Sequence, residues 1–295
     1  MRGELKTLVR GCYSIQKLRI QTGNRIVANF KAKMGLEPSQ KEDELDKEGQ
    51  ALLKSLRLCY ATITEGVVTD KFAAEKLPTR KKFRPEGVIS SYTELVLVDQ
   101  YMHLVQSEKR HFEHLKAILE DYPVWNEFLV DVKGIGPAMA GVLLSELDIF
   151  AAEYPSSFWA YAGLDVAEDG KGRSRRADHL IDVEYTAADG TIQIKKSITF
   201  NPFLKTKLMG VLSASFLRQK AKSPYSVAYY QYKNRIENMP AHAEKTKLHI
   251  HNMALRYAVK RFLVDFHMAW RKIEGLPVSV EYSAGKLGMT HKMAA

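Results

Sequence analysis

The chain has 295 residues, of which 45% are hydrophobic and 26% are charged, a composition that suits a globular protein and excludes a mainly disordered chain. Its net charge of +10 favours a polyanionic partner such as a nucleic acid, although a basic surface without such a partner would carry the same charge. No uncharged run approaches the roughly 18 residues that a membrane-spanning helix needs, so we expect no membrane partner.

The first 88 residues are predicted to form an N-terminal helical region (1–88). Apolar residues recur at helical spacing over 4–34 and 43–65, and Ser39 followed by Glu42 offers a capping box for the second helix. The stretch KLPTRKKFRPEG, with two prolines and five basic residues, predicts a loop and a boundary. A long connecting helix over 89–121 follows, because its large apolar residues fall on one face.

The segment 122–275 has a different pattern and precedes an irregular tail at 276–295. Residues 180–200 alternate with a period of two around an Ala-Asp-Gly tip, which predicts a β-hairpin. Further helices are predicted over 203–222, 224–238 and 245–273. The predicted fold class is therefore mainly α: a helical bundle with a helix-hairpin-helix motif over 122–148 and a small β-hairpin insertion.

The sequence VKGIGPAMAGVLLSEL is typical of the turn in a helix-hairpin-helix motif. Gly134 and Gly136 permit positive φ and leave the backbone uncovered, while Ile135 between them can anchor the turn in the core. Pro137 suits the first turn of the next helix, whose positive end would face a phosphate, with the charge of Lys133 beside it. The alternative is a plain αα-hairpin whose glycines only end one helix and begin the next.

Two groups of basic residues follow this motif and predict contacts to phosphates. The predicted contacts are Lys171, Arg173, Arg175 and Arg176 in a loop, and Lys205 and Lys207 on a predicted helix. The alternative is a solvated basic face. Contacts to phosphates would give binding that is independent of base sequence, because phosphates carry no base information.

No residues have the spacing of a metal site, a nucleotide-binding loop or a Ser-His-Asp arrangement, so we predict no metal and no cofactor. His111 and His114 are three residues apart, but no third ligand lies near them in the sequence. Cys12 and Cys59 show no reason to pair, which is consistent with a reducing cytoplasm. The N-terminus lacks the apolar core of a signal peptide. We therefore expect a cytoplasmic protein.

Four segments of the chain resemble, in their order, one known family. They are DVKGIGPAMAGVLLSELDIF, FWAYAGLD, NPFLKTKLMGVLSASFLR and HIHNMALRYAVKRFLVDFHMAW, and they cover about 122–275. They resemble the C-terminal domain of bacterial insertion-sequence transposases, the bridge-RNA-guided recombinases with an RNase H-like DEDD domain in front and a serine-using domain behind. The resemblance implies a nucleoid-associated bacterial protein that binds DNA, acts in transposition and recombination of a mobile element, and could also bind structured RNA or form a homo-oligomer.

The sequence departs from this family in two places. Residues 1–121 show no counterpart of the DEDD domain, as in a shorter branch of the family. The divalent metals that this domain would hold therefore have no evident site, and Mg²⁺ is expected only if the protein is catalytic. Where the family has its serine nucleophile, this chain has Asp169, which precedes Gly170 and Lys171. Ser174, flanked by arginines, is the candidate catalytic residue for phosphodiester transesterification.

Three functions fit these residues. The first is a transposase that transfers DNA strands, with Ser174 as its nucleophile. The second is a catalytically inactive nucleic-acid-binding accessory protein derived from such a transposase, in which Ser174 is an ordinary serine of a basic loop. The third is a hydrolase in which Asp165, Glu168 and Asp169 hold a metal, although these carboxylates could equally be solvated.

Overall fold

Helices dominate the computed structural model, which describes residues 2–37, 40–58, 79–85 and 89–278. The helices are α1 (Arg2–Lys33), α2 (Lys47–Leu58), α3 (Tyr92–Leu119), α4 (Pro123–Glu127), α5 (Pro137–Glu146), α6 (Pro155–Tyr161), α7 (Pro202–Thr206), α8 (Ser213–Arg218), α9 (Pro224–Glu237) and α10 (Lys247–Ile273). Two strands, β1 (Leu180–Thr186) and β2 (Ile192–Ile198), form an antiparallel hairpin. The predicted class, mainly α with a small β-hairpin, is confirmed.

The N-terminal helices lie where apolar periodicity predicts them. α1 covers nearly all of the helix predicted over 4–34, and α3 lies within the helix predicted over 89–121. α2 covers part of 43–65, whereas 59–65, Ser39 of the capping box and the tail from 279 onward lie outside the described residues. In the described ranges, no helix is long and apolar enough to cross a membrane.

The chain divides into two compact units. The helical unit is Arg10–His114. The C-terminal unit combines the start of α1, up to Val9, with the chain from Leu115 onward. The predicted segments 1–88 and 89–121 therefore each contribute residues to both units.

The helical unit has an apolar core because α1 and α3 repeat apolar residues every three or four positions. Its buried members are Ile26, Val27, Phe30, Leu53, Ile89, Leu95, Val98 and Tyr101. Beside them, the Glu94 carboxylate accepts hydrogen bonds of 2.7–2.9 Å from Asn29 Nδ2, Lys33 Nζ and the Ser90 N–H. Burial raises the pKa of Glu94, but these hydrogen bonds outweigh it and the pKa is lowered.

The C-terminal unit is built around the aromatic face of α10. Phe262, Phe266 and Trp270 are spaced four residues apart, so their rings lie along one side of the helix. The Phe262 and Phe266 rings are stacked with centroids 5.7 Å apart. Phe158 of α6 packs against Phe266, and Phe216 of α8 packs against Phe262. This face therefore fixes α6 and α8 against α10.

The buried polar residues of α10 hold the loop between α5 and α6. His267 Nε2 lies 2.8 Å from the Ala152 carbonyl oxygen, and Arg271 Nη1 donates to the carbonyls of Ala152 (2.9 Å) and Ile149 (3.3 Å). Burial lowers the pKa of His267, so the ring is neutral, and Nε2 carries the proton that Ala152 accepts. α5 is thereby anchored at its C-terminal end.

Asn201 connects α5 to the helices that follow the hairpin. Its Oδ1 accepts the Leu204 N–H at 3.1 Å and caps α7, while its Nδ2 donates to the buried Glu146 Oε2 at 2.6 Å. Of the helix predicted over 203–222, the part up to Arg218 consists of α7, a π-helical segment (Lys207–Leu212) and α8, and Lys220–Lys222 forms a separate 3₁₀ turn. This path places α8 against the turn that precedes α5.

The hairpin has the register that its alternating sequence favours, with Leu180 opposite Ile198 and Thr186 opposite Ile192. Gly190 has a φ of +84°, which allows the chain to reverse after the Ala-Asp pair. Side chains on both faces are exposed, and Ile192 and Ile194 reach 74% and 67% exposure. The predicted hairpin over 180–200 is thus present as an exposed ribbon.

Candidate nucleic-acid interface

The Gly-Ile-Gly turn places its two glycines in different conformations. Gly134 has a φ of +102°, whereas Gly136 is extended and is the N-cap of α5, followed by Pro137 at the first helical position. The Ile135 N–H donates to the Val132 carbonyl at 3.0 Å, and its side chain is buried. The turn is thus anchored by Ile135, as the sequence predicts.

The helix before this turn is shorter than the motif predicts. α4 spans only Pro123–Glu127 and is followed by a single 3₁₀ turn at Leu129–Asp131. Phe128 separates them with a non-helical backbone (φ −139°, ψ −58°), so a continuous first helix of the motif does not form. The approach to the glycine turn is therefore two short helical turns.

Three backbone N–H groups at this turn are available to a ligand. Within the described part of the chain, those of Gly134, Gly136 and Ala138 have no hydrogen-bond acceptor, and no side chain caps α5. Gly136 is exposed, and a Cβ built on it meets no atom within 4 Å. The exposed Lys133 adds a positive charge. Unpaired N–H groups at the positive end of a ten-residue helix favour an anion.

Helix α8 supports the turn from behind. Ser215 Oγ donates to the Gly134 carbonyl at 2.7 Å, and a Cβ on Gly134 would lie 3.1 Å from Phe216 Cδ1. Ser213, two residues earlier, donates instead to the Met209 carbonyl of the preceding π-helical segment. Ser215 therefore positions the turn, a role that sequence spacing does not reveal because it lies 81 residues from Gly134.

Replacing Gly134 by alanine is expected to destabilise the protein by about 1–2 kcal/mol, because a φ of +102° is unfavourable for a residue with a Cβ and Phe216 leaves little space. Urea denaturation followed by circular dichroism measures the change. Gly136→Ala is the matched control and should change the free energy of unfolding by less than about 0.5 kcal/mol, since its backbone is extended and its surroundings are open. Equal effects of the two substitutions would contradict this description of the turn.

The predicted phosphate-binding residues fall into two groups in the structure. Lys171, Arg175 and Arg176 are exposed. Arg173 and Lys205 are partly buried and bound internally: Arg173 Nε donates to Asp165 Oδ2 at 2.7 Å, and Lys205 Nζ donates to the Arg173 carbonyl. Lys207 is also partly buried, with its Nζ 5.4 Å from the centre of the Phe203 ring. These residues therefore do not form a continuous solvated basic surface.

Ser174 lies against a histidine that sequence spacing did not single out. Its Oγ is 3.0 Å from His179 Nδ1, and its backbone N–H donates to the same nitrogen at 2.9 Å. A 3₁₀ turn, Ala177–His179, brings the ring back toward the serine, and His179 is only 5% exposed. Because Nδ1 accepts the Ser174 N–H, it carries a lone pair, and the Ser174 hydroxyl proton has a base beside it.

Asp169 lies on the other side of the His179 ring. Its Oδ2 is 3.2 Å from His179 Nε2, an ion-pair distance rather than a well-directed hydrogen bond, and its Oδ1 accepts the Lys171 N–H at 2.9 Å. The hydrogen bond from the Lys171 backbone, together with His179 and the Lys171 ammonium, lowers the pKa of Asp169. The carboxylate stays ionised and favours the tautomer that keeps Nδ1 free of a proton.

The three carboxylates considered for a metal are not arranged to hold one. Asp165 pairs with Arg173 and Asp169 lies against His179. Over the ranges that the structure describes, no group of three or more histidine, cysteine, aspartate or glutamate side chains could hold a metal ion. The structure therefore gives no support to a metal-dependent hydrolase at this loop.

Comparison with known proteins found no match to this chain among family models, curated proteins or solved structures. Its function must therefore be inferred from the turn, the serine cluster and the charges around them.

Proposed function

We propose that this protein is a transposase-family DNA-binding protein that holds the phosphate backbone at the start of α5. The observation that carries the proposal is the set of unpaired N–H groups of Gly134, Gly136 and Ala138, with the exposed Lys133 beside them. A phosphate oxygen would accept these N–H groups and lie at the positive end of the helix. Such a contact positions the duplex and does not read its sequence.

Exposed cations and the resemblance over 122–275 support the same proposal. Lys171, Arg175 and Arg176 are exposed and can neutralise phosphates, although Lys171 Nζ and Arg176 Nη1 also lie 4.0 Å and 3.8 Å from Asp169 Oδ2. The resemblance gives the biological setting, which is transposition or recombination of a mobile element at a bacterial nucleoid. Structured RNA offers the same backbone chemistry and is the second partner to test, and a homo-oligomer remains a prediction.

The test is the salt dependence of binding to a 30-base-pair duplex. Four exposed cations, Lys133, Lys171, Arg175 and Arg176, would give a slope of log K against log[salt] of about −3 to −4, which is a loss of roughly 100-fold between 50 and 200 mM salt. Fluorescence anisotropy at several salt concentrations measures it, with a structured RNA of equal length in parallel. No measurable affinity for either, or an affinity indifferent to salt, would overturn the proposal.

The contact between Ser174 and His179 favours a second candidate function, phosphodiester transesterification. Ser174 Oγ would attack the phosphorus while its proton passes to His179 Nδ1, and the bond to the leaving nucleoside oxygen would break. His179 would then return the proton to that oxygen, leaving a strand joined to the serine. Asp169 would stabilise the protonated imidazole. A protein that binds DNA but has no such activity would be the accessory protein.

A further inference from the structure

The charges beside the serine loop do not balance. Three cations, Arg173, Lys205 and Arg256, surround one carboxylate, Asp165, so the cluster carries two positive charges in excess. Asp165 Oδ2 is taken by Arg173, and its Oδ1 is buried without a hydrogen-bond donor. Unpaired charges are costly to bury, and a bound anion would offset such an excess.

Arg256 of α10 is the cation without a partner. Throughout the described residues its guanidinium makes no hydrogen bond or ion pair, and its Nε is buried. Nη1 lies 1.9 Å from where a Cβ on Gly172 would be, so the side chain at 172 has to be absent for the guanidinium to fit. Burial lowers the pKa of Arg256, with a smaller opposing effect from Asp165. The fold thus places a partly desolvated guanidinium against Gly172 with its donors unused.

Lys205 approaches the same cluster from α7. Its Nζ lies 4.5 Å from the centre of the Phe200 ring and donates one hydrogen bond, to the Arg173 carbonyl. An ammonium has three donors, so two are left for a ligand. Three separate segments therefore converge here: the loop with Asp165, Gly172 and Arg173, the last turn of α7, and the middle of α10.

We infer that Arg256 and Lys205 form a binding site for a dianionic phosphate group beside Ser174. The guanidinium supplies a planar fork that matches two phosphate oxygens, and the ammonium supplies a point charge for the third. The excess of two positive charges equals the charge of a phosphate monoester, whereas an internal phosphodiester carries one. The ligand class is thus a terminal phosphate, either free inorganic phosphate or the phosphorylated end of a nucleic-acid strand.

Thermal unfolding with inorganic phosphate tests the site without using DNA, so its outcome does not depend on the contact at Gly134–Gly136. Phosphate at pH 7.5 should raise the melting temperature of the wild type above that in chloride of equal ionic strength. Arg256→Gln should require at least about tenfold more phosphate for the same shift, because it loses a charge-assisted contact. Arg218→Gln removes an equal charge from an exposed position and should behave as wild type.

The phosphate-free proteins give a second readout. Arg256→Gln should not lower the melting temperature in chloride, since it removes an unpaired, partly buried charge. If Arg256→Gln does not fold, Lys205→Gln takes its place in the same titration. Equal stabilisation by phosphate of the wild type and of these variants, or none in the wild type, overturns the inference.

The pH dependence of phosphate binding tests the part of Lys205. The pKa of Lys205 is lowered to about 8, mainly by burial and also by the positive charges of Arg256 and Arg173. The negative charge of Asp165 has the opposite effect. Since the ammonium is the form that binds an anion, phosphate affinity should fall as the pH rises from about 8 to about 9.5, a range in which phosphate is already mainly the dianion. Lys205→Arg should keep its affinity over this range. A flat profile in the wild type would contradict the role of Lys205.

Binding to duplexes with different 5′ ends distinguishes a phosphorylated strand end from free phosphate as the ligand. Wild-type protein should prefer a duplex with 5′-phosphates to one with 5′-hydroxyls by about tenfold, and Arg256→Gln should lose that preference. If inorganic phosphate stabilises the wild type through Arg256 but the duplex ends make no difference, the ligand is free phosphate. If the protein does not bind DNA at all, the phosphate titration still decides this inference separately from the proposed function.

Discussion

Replacing Gly136 by aspartate is expected to weaken DNA binding by about 10- to 100-fold while leaving the fold intact. Gly136 is the N-cap of α5, where an aspartate side chain accepts the next N–H groups of the helix and is among the preferred caps. The carboxylate would therefore occupy the donors meant for a phosphate and repel its charge, at a loss of about 1.5–3 kcal/mol. Because a Cβ at 136 meets no atom within 4 Å, the substitution needs no rearrangement.

The control for this experiment is an aspartate at another helix start. Thr246 is the exposed N-cap of α10, and its Oγ1 accepts the His249 N–H at 3.2 Å, so Thr246→Asp adds the same charge at a helix start that a side chain already caps. Anisotropy with the 30-base-pair duplex should show wild-type affinity for Thr246→Asp and weak binding for Gly136→Asp. Denaturation should show that both remain folded. Wild-type affinity of Gly136→Asp would rule out the start of α5 as the DNA contact.

Ser174→Ala is expected to lower the rate of strand cleavage by about 10³-fold or more if the serine is the nucleophile. Ser174 has a base within 3.0 Å, and alanine removes the attacking oxygen without changing the ring beside it. The assay incubates the protein with supercoiled and linear DNA, scores nicks, and looks for protein covalently joined to a strand after denaturation. Both the nicks and the adduct should disappear in the variant.

Two further variants separate chemistry from folding. Ser213→Ala removes a serine whose hydroxyl donates to the Met209 carbonyl of the preceding π-helical segment, and it should stay active. Asp169→Asn should fold, since the carboxylate is exposed, but should cleave more slowly because the imidazolium loses its counter-charge, and Asp169→Glu should restore part of the rate. A wild type that binds DNA without nicking it would instead establish the accessory protein.

Local patterns were sufficient to predict the long helices and the hairpin. The helical repeats of apolar residues give α1, α3 and α10 to within a few residues, because each helix buries one face and periodicity records that face directly. The alternation around Ala-Asp-Gly gives β1 and β2, since Gly190 supplies the positive φ that the reversal needs. The same holds for Gly134, Ile135 and Gly136, whose residue types already specify an anchored, uncovered turn.

The partners of the candidate residues were not predictable in this way. Arg173 and Lys205 look alike as basic residues of the sequence, yet the structure buries both in part and joins them across 32 positions. His179 is close to Ser174 in the chain, but only the 3₁₀ turn at Ala177–His179 directs Nδ1 at the hydroxyl. Which side chains face one another depends on how elements pack, and that information is absent from any single segment.

The sequence by itself determined that this protein is mainly helical, that it is basic, and that its glycine turn leaves backbone donors at the start of a helix, because composition, periodicity and residue type act locally. The tertiary structure alone decided that Ser215 holds this turn, that His179 and Asp169 accompany Ser174, and that Arg256 reaches Gly172 without a counter-charge. The contacts of Ser215 and Arg256 join distant segments and those of Ser174 need a local turn, and the energies of all of them depend on burial that only the folded chain creates.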